Sequence, residues 1–306
     1  MKEDSDVIGI DIMNIIRKIL FEKKDTRPPF TKPPLRSPGE SLESKLEDDI
    51  IGFALYSVSF PLLLLVILIY ALIFPGKADR LHVLGLNLIV ISPCLIFIYF
   101  YTKRSLRNIR TDRLGYLGEK IIGQELEKAR ADGYVVFHDI VIEKNGKKPF
   151  NIDHIAIGKA GIIVVETKAK SKSQKGTPRI TYDGKKLVFP DGSYTSDPLD
   201  QVSKNSEQIE KLAAELISKE IHPVCKFNFE NPVPTICIVA YPGWGIDFKK
   251  VQKEKDTIYV ANDTTLVDNV ISSFKQAPKL SSEMIKELQE LFDRYLRKEK
   301  EQLIEY

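Results

Sequence analysis

Apolar positions are unevenly distributed along this chain. From Ile50 to Gly76, 27 consecutive residues carry no charge, and from Leu81 to Thr102 another 22 carry none. A bilayer core of about 30 Å takes about 20 apolar residues as helix, so each run is long enough to span. A charge at the centre would add roughly 2.5–3.5 kcal/mol to insertion, and neither run holds one. Pro61 and Pro93 lie inside the runs, where membrane helices accommodate proline. The connection from Pro75 to Arg80 is short. The pattern therefore predicts a transmembrane hairpin over residues 50–102, with helices near 50–74 and 81–101; the alternative is a buried helical hairpin of a soluble protein. Lys103, Arg104, Arg107, Arg110 and Arg113 follow the second run, whereas the connection offers Lys77 and Arg80 beside Asp79. The positive-inside tendency then predicts a two-span membrane protein whose N-terminus and C-terminal part are both cytoplasmic.

On either side the period changes. Val7–Phe21 has apolar residues at helical spacing opposite Arg17 and Lys18. Residues 1–23 are therefore expected to form an amphipathic helix, lying on the membrane surface or packing on the rest of the protein. Residues 24–49, with Pro28, Pro29, Pro33, Pro34 and Pro38 among charges, are expected to be a linker without fixed structure. Leu117–Arg130 has the helical period. Tyr134–Ile142, Phe150–Ile157 and Ile162–Lys168 are β-branched runs separated by turn signals, and so predict three strands. Arg179–Tyr182 and Lys185–Phe189 around Asp183-Gly184 predict a tight hairpin. A helix over about 199–219 and strands at Thr235–Tyr241 and Thr257–Val260 follow. The order α-β-β-β-α-β defines an α/β domain over 103–262 with a mixed sheet flanked by helices. Helices near 264–274 and 281–300 make up a C-terminal segment, 263–306; the second suits packing or self-association into an oligomer.

Composition narrows the class. The 306 residues carry a net charge of +3, with 28% charged and 43% hydrophobic residues. That excludes a wholly disordered chain and a histone-like polycation. The three cysteines, Cys94, Cys225 and Cys237, contain no CxxC. A disulfide framework and a structural zinc site are excluded with them.

Candidate chemistry sits on the second and third strands. Residues two apart on a strand share a face, so Glu166 and Lys168 point the same way at the end of their strand. Asp153 lies mid-strand among apolar neighbours, where a carboxylate is costly unless paired or metal-bound. Strands about 4.8 Å apart would let Asp153 and Glu166 share one cation if the register aligns them. Glu119 falls at the rim of the apolar face of its helix. Each of these alone reads equally as a surface charge or salt bridge. His138 and His154 suit packing better than ligation. Trp244, in Tyr241–Ile246, suits an exposed turn anchor or a base-stacking platform.

Four segments in order resemble one family. Leu117-Gly118-Glu119 opens a helix, Asn151-Ile152-Asp153-His154-Ile155 is a strand, and Gly161–Lys168 (GIIVVETK) is the next strand. Asp197-Pro198-Leu199-Asp200-Gln201, followed by Asn205, starts the second helix. Together they are similar to the nuclease-related (NERD) domain of the PD-(D/E)xK nuclease superfamily. Ile152 stands where the superfamily name has proline, Asn151 replaces a glutamine and Asp197 an asparagine.

The resemblance implies a restriction-endonuclease-like core and a metal-dependent endonuclease acting on phosphodiester bonds. Asp153, Glu166 and the backbone carbonyl of Thr167 would hold Mg²⁺ or Mn²⁺, with Glu119 joining directly or through water. Lys168 would orient the attacking water, and Gln201 would position Lys168 or the scissile phosphate. Residues 167–190 hold seven basic side chains against one acidic. Lys168, Lys170, Lys172, Lys175, Arg179, Lys185 and Lys186 would line a path for nucleic acid, or form a solvated loop. A bilayer tether and a nucleic-acid partner follow, and placement at the inner face of a membrane points to DNA. The alternatives are an inactive membrane-tethered module of the same fold that binds nucleic acid or protein, and a membrane scaffold. Intact Glu119, Asp153, Glu166 and Lys168 speak against the first. The absence of ionisable residues from the spans, His82 near one end apart, speaks against an ion path in the second.

Overall fold

The computed structural model describes residues 35–73, 80–144, 147–172, 178–220, 233–248, 258–274 and 280–304. The amphipathic helix predicted at 7–21, the prolines up to residue 34 and the hairpin connection lie outside the described residues. The chain divides into two compact units, Met1–Pro33 with Leu46–Leu106, and Pro34–Lys45 with Arg107–Tyr306.

Two helices carry the apolar runs, α1 (Glu40–Ile73) and α2 (Arg80–Leu126). Within the first unit they touch through aromatic rings: Tyr56 lies 5.6 Å from Tyr101 and Phe60 6.3 Å from Phe97, between ring centroids. The stretch Glu40–Tyr70 has a mean hydropathy of 2.4 over its most apolar window and is long and apolar enough to cross a membrane. Among the described residues it is the one helix that meets this measure. Leu62, Val66 and Tyr70 on it are exposed, an apolar exterior that suits lipid better than water. The second run lies in α2, which continues unbroken to Leu126 instead of ending near residue 101. Residues 103–114 hold neither glycine nor proline and are rich in Arg and Leu, so nothing in them stops a helix.

The second unit is an α/β structure. Its main sheet has the order β1-β2-β3-β7-β9, formed by β1 (Val135–Lys144), β2 (Lys147–Gly158), β3 (Gly161–Thr167), β7 (Thr235–Ala240) and β9 (Tyr259–Ala261). The first three strands are antiparallel, and β3, β7 and β9 run parallel. A second sheet of order β6-β5-β4-β8 is built from β4 (Arg179–Tyr182), β5 (Leu187–Val188), β6 (Tyr194–Thr195) and β8 (Gly245–Phe248). The sequence reading missed β6 and β8, short polar strands with no alternation to mark them. It also predicted a two-residue turn at Asp183-Gly184. The observed pairing Tyr182↔Leu187 leaves four residues in the loop, because Asp183 Oδ1 accepts the backbone N–H of Lys185 and of Lys186.

Apolar layers cover both faces of the main sheet. On one side Ile155, Ile157, Ile162 and Val164 pack with α3 (Asp197–Glu220) and α4 (Ser282–Ile304), through Val202, Ile209, Leu288 and Phe292. On the other, Ala156, Ile163, Val165 and Ile238 meet Ile122 and Leu126 of α2, and Leu266 and Ile271 of a π-helix, Leu266–Ile271. β3 is therefore buried at all seven positions, as a central strand covered twice must be. α4 packs its apolar stripe, Leu288, Leu291 and Phe292, on this core. Of the apolar residues at helical spacing in this part of α2, Leu117 and Ile121 are exposed and Ile122 and Leu126 are buried.

Candidate active site

The site grows from three elements that meet at the carboxyl end of β3. The β2–β3 ladder runs from Gly158↔Gly161 to His154↔Val165. The next residues on that register are Asp153 and Glu166, so the two carboxylates face each other across neighbouring strands. Glu119 comes from α2. A Cβ on Gly118 would lie 2.7 Å from the Ala169 Cβ, so only glycine lets the helix approach the chain leaving β3 this closely. Lys168 is fixed by its own backbone: its N–H donates to the Ala240 carbonyl at 2.9 Å, extending the contact of β3 with β7.

The side chains form a connected set. Thr167 N–H donates to Asp153 Oδ2 at 2.7 Å. Lys168 Nζ donates to Glu166 Oε1 at 2.7 Å, and Asn205 Nδ2 donates to Glu166 Oε2 at 3.1 Å. Glu119, Asp153 and Glu166 are all buried, Glu166 with only 1% of its surface exposed. Glu119 Oε2 is buried with no hydrogen-bond partner among the described residues. Lys168, with a side chain 35% exposed, is the member that reaches solvent.

Three buried acids so close resist ionising together. Burial, then the charges of Asp139 and Glu166, push the Glu119 carboxyl up to about 8, against a smaller opposing pull from Lys168. Burial, then Glu166 and Glu119, raise Asp153 well above the usual carboxylate range, although the Thr167 N–H pulls the other way. Burial also raises Glu166, opposed by Lys168 and Asn205. The set is short of positive charge.

Among the described residues no group of three His, Cys, Asp or Glu side chains is arranged to hold a metal ion by itself. The residues nevertheless fit a hard divalent cation that keeps part of its water shell. Two facing carboxylates and one orphaned carboxylate oxygen are all-oxygen donors, and Mg²⁺ is commonly bound through one or two carboxylates plus waters. Asp153 and Glu166 could hold such an ion, with Glu119 able to act as a third donor.

Four of the site residues expected from sequence, Glu119, Asp153, Glu166 and Lys168, come together, and Thr167 enters through its N–H. Gln201 does not: it is exposed in the first turn of α3, and Asn205, one turn on, reaches Glu166 in its place. Of the basic path, Lys175 lies outside the described residues. Arg179 is engaged by Asp247. Lys170, Lys172, Lys185 and Lys186 are exposed. Lys170 Nζ sits 3.3 Å over the Phe189 ring and Lys186 Nζ 4.6 Å over that of Tyr194, the latter 69% exposed.

Trp244 is neither an exposed anchor nor a free platform. It is buried, its Nε1–H donates to the Lys170 carbonyl at 3.1 Å, and its ring packs edge-on against Phe189. His138 and His154 are buried as expected, paired through their Nδ1 atoms at 2.9 Å, with His138 Nε2 on Glu127 at 2.8 Å. Burial and the neighbouring His138 lower His154 far below the usual imidazole range. One residue escaped the sequence reading altogether. Asp139 is fully buried beside the site, and its charge bears on Glu119. The signal was a carboxylate inside an otherwise apolar strand, the same signal that marked Asp153.

Comparison with known families agrees with this geometry over part of the chain. Residues 114–228 match the family model of the nuclease-related domain (NERD). That stretch holds α2 from Leu114, β1–β6 and α3, and with them Glu119, Asp153, Glu166, Lys168 and Asn205. No curated protein and no solved structure matches the chain. The chain thus holds an α/β unit of which residues 114–228 are similar to a nuclease-related domain, together with one helix long and apolar enough to cross a membrane.

Proposed function

We propose that this protein is a membrane-anchored, divalent-metal-dependent nuclease that hydrolyses phosphodiester bonds of nucleic acid, DNA in the first place, at the cytoplasmic face. The observation that carries the reading is the facing pair Asp153 and Glu166 with Lys168 bonded to it, inside the stretch that matches a nuclease-related domain. Bound at these carboxylates, Mg²⁺ or Mn²⁺ supplies the positive charge that a phosphodiester needs as negative charge builds on it. The chain's own residues do the rest. Asp153 is oriented by the Thr167 N–H and Glu166 by Asn205, so both present oxygens in fixed directions. Lys168 is bonded to Glu166 and partly exposed, so its ammonium would orient the attacking water and meet the phosphate beside the carboxylate pair. Lys170, Lys172, Lys185 and Lys186 provide a sequence-independent electrostatic track, and no base-reading group is required.

Within Glu40–Tyr70, the charge-free part from Ile50 onward supplies the first span. The second charge-free run, at the start of α2, is the second span, and the basic residues after it keep the nuclease-like unit cytoplasmic.

The test uses the full chain in detergent micelles with single- and double-stranded DNA, in Mg²⁺, Mn²⁺ or EDTA, beside Asp153→Ala and Lys168→Ala. Cutting that needs the metal and is lost in both variants supports the reading. Full cutting by Lys168→Ala removes its assigned role. A folded chain that binds DNA and cuts none would make the domain a binding module.

A further inference from the structure

Asp139 has no part in the mechanism above, yet its buried carboxylate accepts four hydrogen bonds. The β1–β2 ladder pairs His138 with His154 and Ile140 with Ile152, which sets Asp139 opposite Asp153. Its backbone φ is +49°, the one positive value at a non-glycine residue among the described residues. Such a conformation is sparsely populated outside glycine and persists where its surroundings impose it. Those surroundings are specific. Asp139 Oδ2 accepts from Arg36 Nη1 at 2.7 Å, from the Ser41 N–H at 2.9 Å and from Ser41 Oγ at 2.7 Å. Oδ1 accepts from Asn151 Nδ2 at 3.0 Å.

Arg36 and Ser41 belong to a short strap that leads into the first turn of α1. Ser41 N–H is one of the unpaired donors of a helix start, so Asp139 also caps α1 from a distant strand. Pro38 seats the strap on α2: a Cβ on Gly123 would lie 2.6 Å from the Pro38 ring. The same Cβ would lie 3.3 Å from His154, the neighbour of Asp153. The strap thus bears on two neighbours of Asp153: on Asp139, opposite it in the ladder and bonded to Asn151, and, through Gly123, on the ring of His154.

We propose that Asp139 is a positioning residue: clamped by Arg36 and Ser41, it fixes β2 at Asp153 and so sets the carboxylate pair that receives the cation. The role of Asp153 in that statement rests on the nuclease reading; the clamping of β2 does not.

The test uses the full chain in micelles, at a temperature where circular dichroism shows every variant folded. Asp139→Asn and Arg36→Ala remove the clamp. Arg36→Lys partly restores it. Lys45→Ala breaks the Lys45–Asp112 pair in the neighbouring turn of α1 without touching Asp139, and serves as control. Three quantities are read: Mn²⁺ affinity from water-proton relaxation, kcat and KM on double-stranded DNA, and hydrogen exchange of the peptide spanning 150–157.

The first two variants are expected to weaken Mn²⁺ binding and lower kcat by about tenfold or more, the size typical for residues that orient metal ligands, with KM within about twofold. Exchange in 150–157 should accelerate in both, recover in Arg36→Lys and stay unchanged in Lys45→Ala. Unchanged exchange and Mn²⁺ affinity in folded Asp139→Asn would overturn the proposal, as would an equal loss in Lys45→Ala. If the wild-type chain cuts no nucleic acid, the nuclease reading fails, while the Mn²⁺ and exchange arms still decide the positioning role.

Discussion

Glu119 stands in an environment that an ionised carboxylate tolerates poorly. A buried carboxyl pushed up to about 8 binds a proton in the folded chain that it has released, near 4.5, in the unfolded one. Between those values the folded state holds more protons, so stability falls as pH rises and is regained on acidification. The full shift, at about 1.4 kcal/mol per unit, amounts to a few kcal/mol, shared among three interacting acids. Glu119→Gln keeps the shape and removes the charge. It is expected to raise the thermal midpoint at pH 8–9 in EDTA and to leave it nearly unchanged at pH 5. Mg²⁺ should stabilise the wild-type chain more at pH 8 than at pH 5, because a ligand that binds only the folded form adds stability by mass action. Differential scanning across pH, with and without Mg²⁺, reads both. A midpoint in EDTA that is flat from pH 5 to 9 would contradict the account of the three acids.

At the scale of elements, the approach of α2 to the end of β3 sets where Glu119 stands, and Gly118 is what permits it. Alanine in a helix interior is worth up to about 1 kcal/mol over glycine. Against that, the new Cβ would meet the Ala169 Cβ at 2.7 Å, an overlap that backbone movement must relieve, at a typical cost of about 1–3 kcal/mol. The overlap wins. Gly118→Ala is expected to lower the denaturant midpoint and to slow cleavage by shifting Glu119. Adding Ala169→Gly should recover both, since it removes the other half of the clash, and a double-mutant cycle measures the coupling. Loss of stability that Ala169→Gly fails to restore would place the cost elsewhere.

The same scale shows what was legible in the sequence. Asp153, Glu166 and Lys168 lie on strands whose alternation and order are local properties, and Glu119 sits on a strongly periodic helix. Their convergence could be read before any coordinates. Gln201 and Asn205 are four residues apart and share a helix face. Which of them reaches Glu166 depends on how α3 lies against the sheet, a tertiary fact. Trp244 followed a Tyr-Pro-Gly turn that reads as surface, and its burial comes from Phe189 and the Lys170 carbonyl, remote in the chain. Asp139 is the clearest case: its partner Arg36 is 103 residues away, inside a segment whose prolines read as linker.

That segment bears on the whole molecule. Residues 34–45 belong to the same compact unit as residues 107–306, so this unit takes in a segment from before the first apolar run as well as the chain after the second. From Leu35 the supposed linker is a docked turn and the start of α1, held by the Asp139 bonds, by Tyr116 on Glu43 at 2.8 Å and by Lys45 on Asp112. A fragment of residues 103–306 loses all of it. It keeps every candidate catalytic side chain, yet leaves Asp139 without its guanidinium. Removing one partner of a buried ion pair is worth about 3–5 kcal/mol, a large share of the 5–15 kcal/mol that holds a typical domain together. The fragment is therefore expected to melt well below the full chain in micelles and to cut DNA poorly. Asp139→Asn within the fragment should raise its midpoint, since a neutral amide is cheaper to bury than an unpaired charge, although the same change lowers stability in the full chain where Arg36 is present. Opposite signs of one substitution in the two backgrounds, measured by thermal unfolding, would tie the site to the segment before α1. Equal signs would mean that the strap lies on the sheet without supporting it.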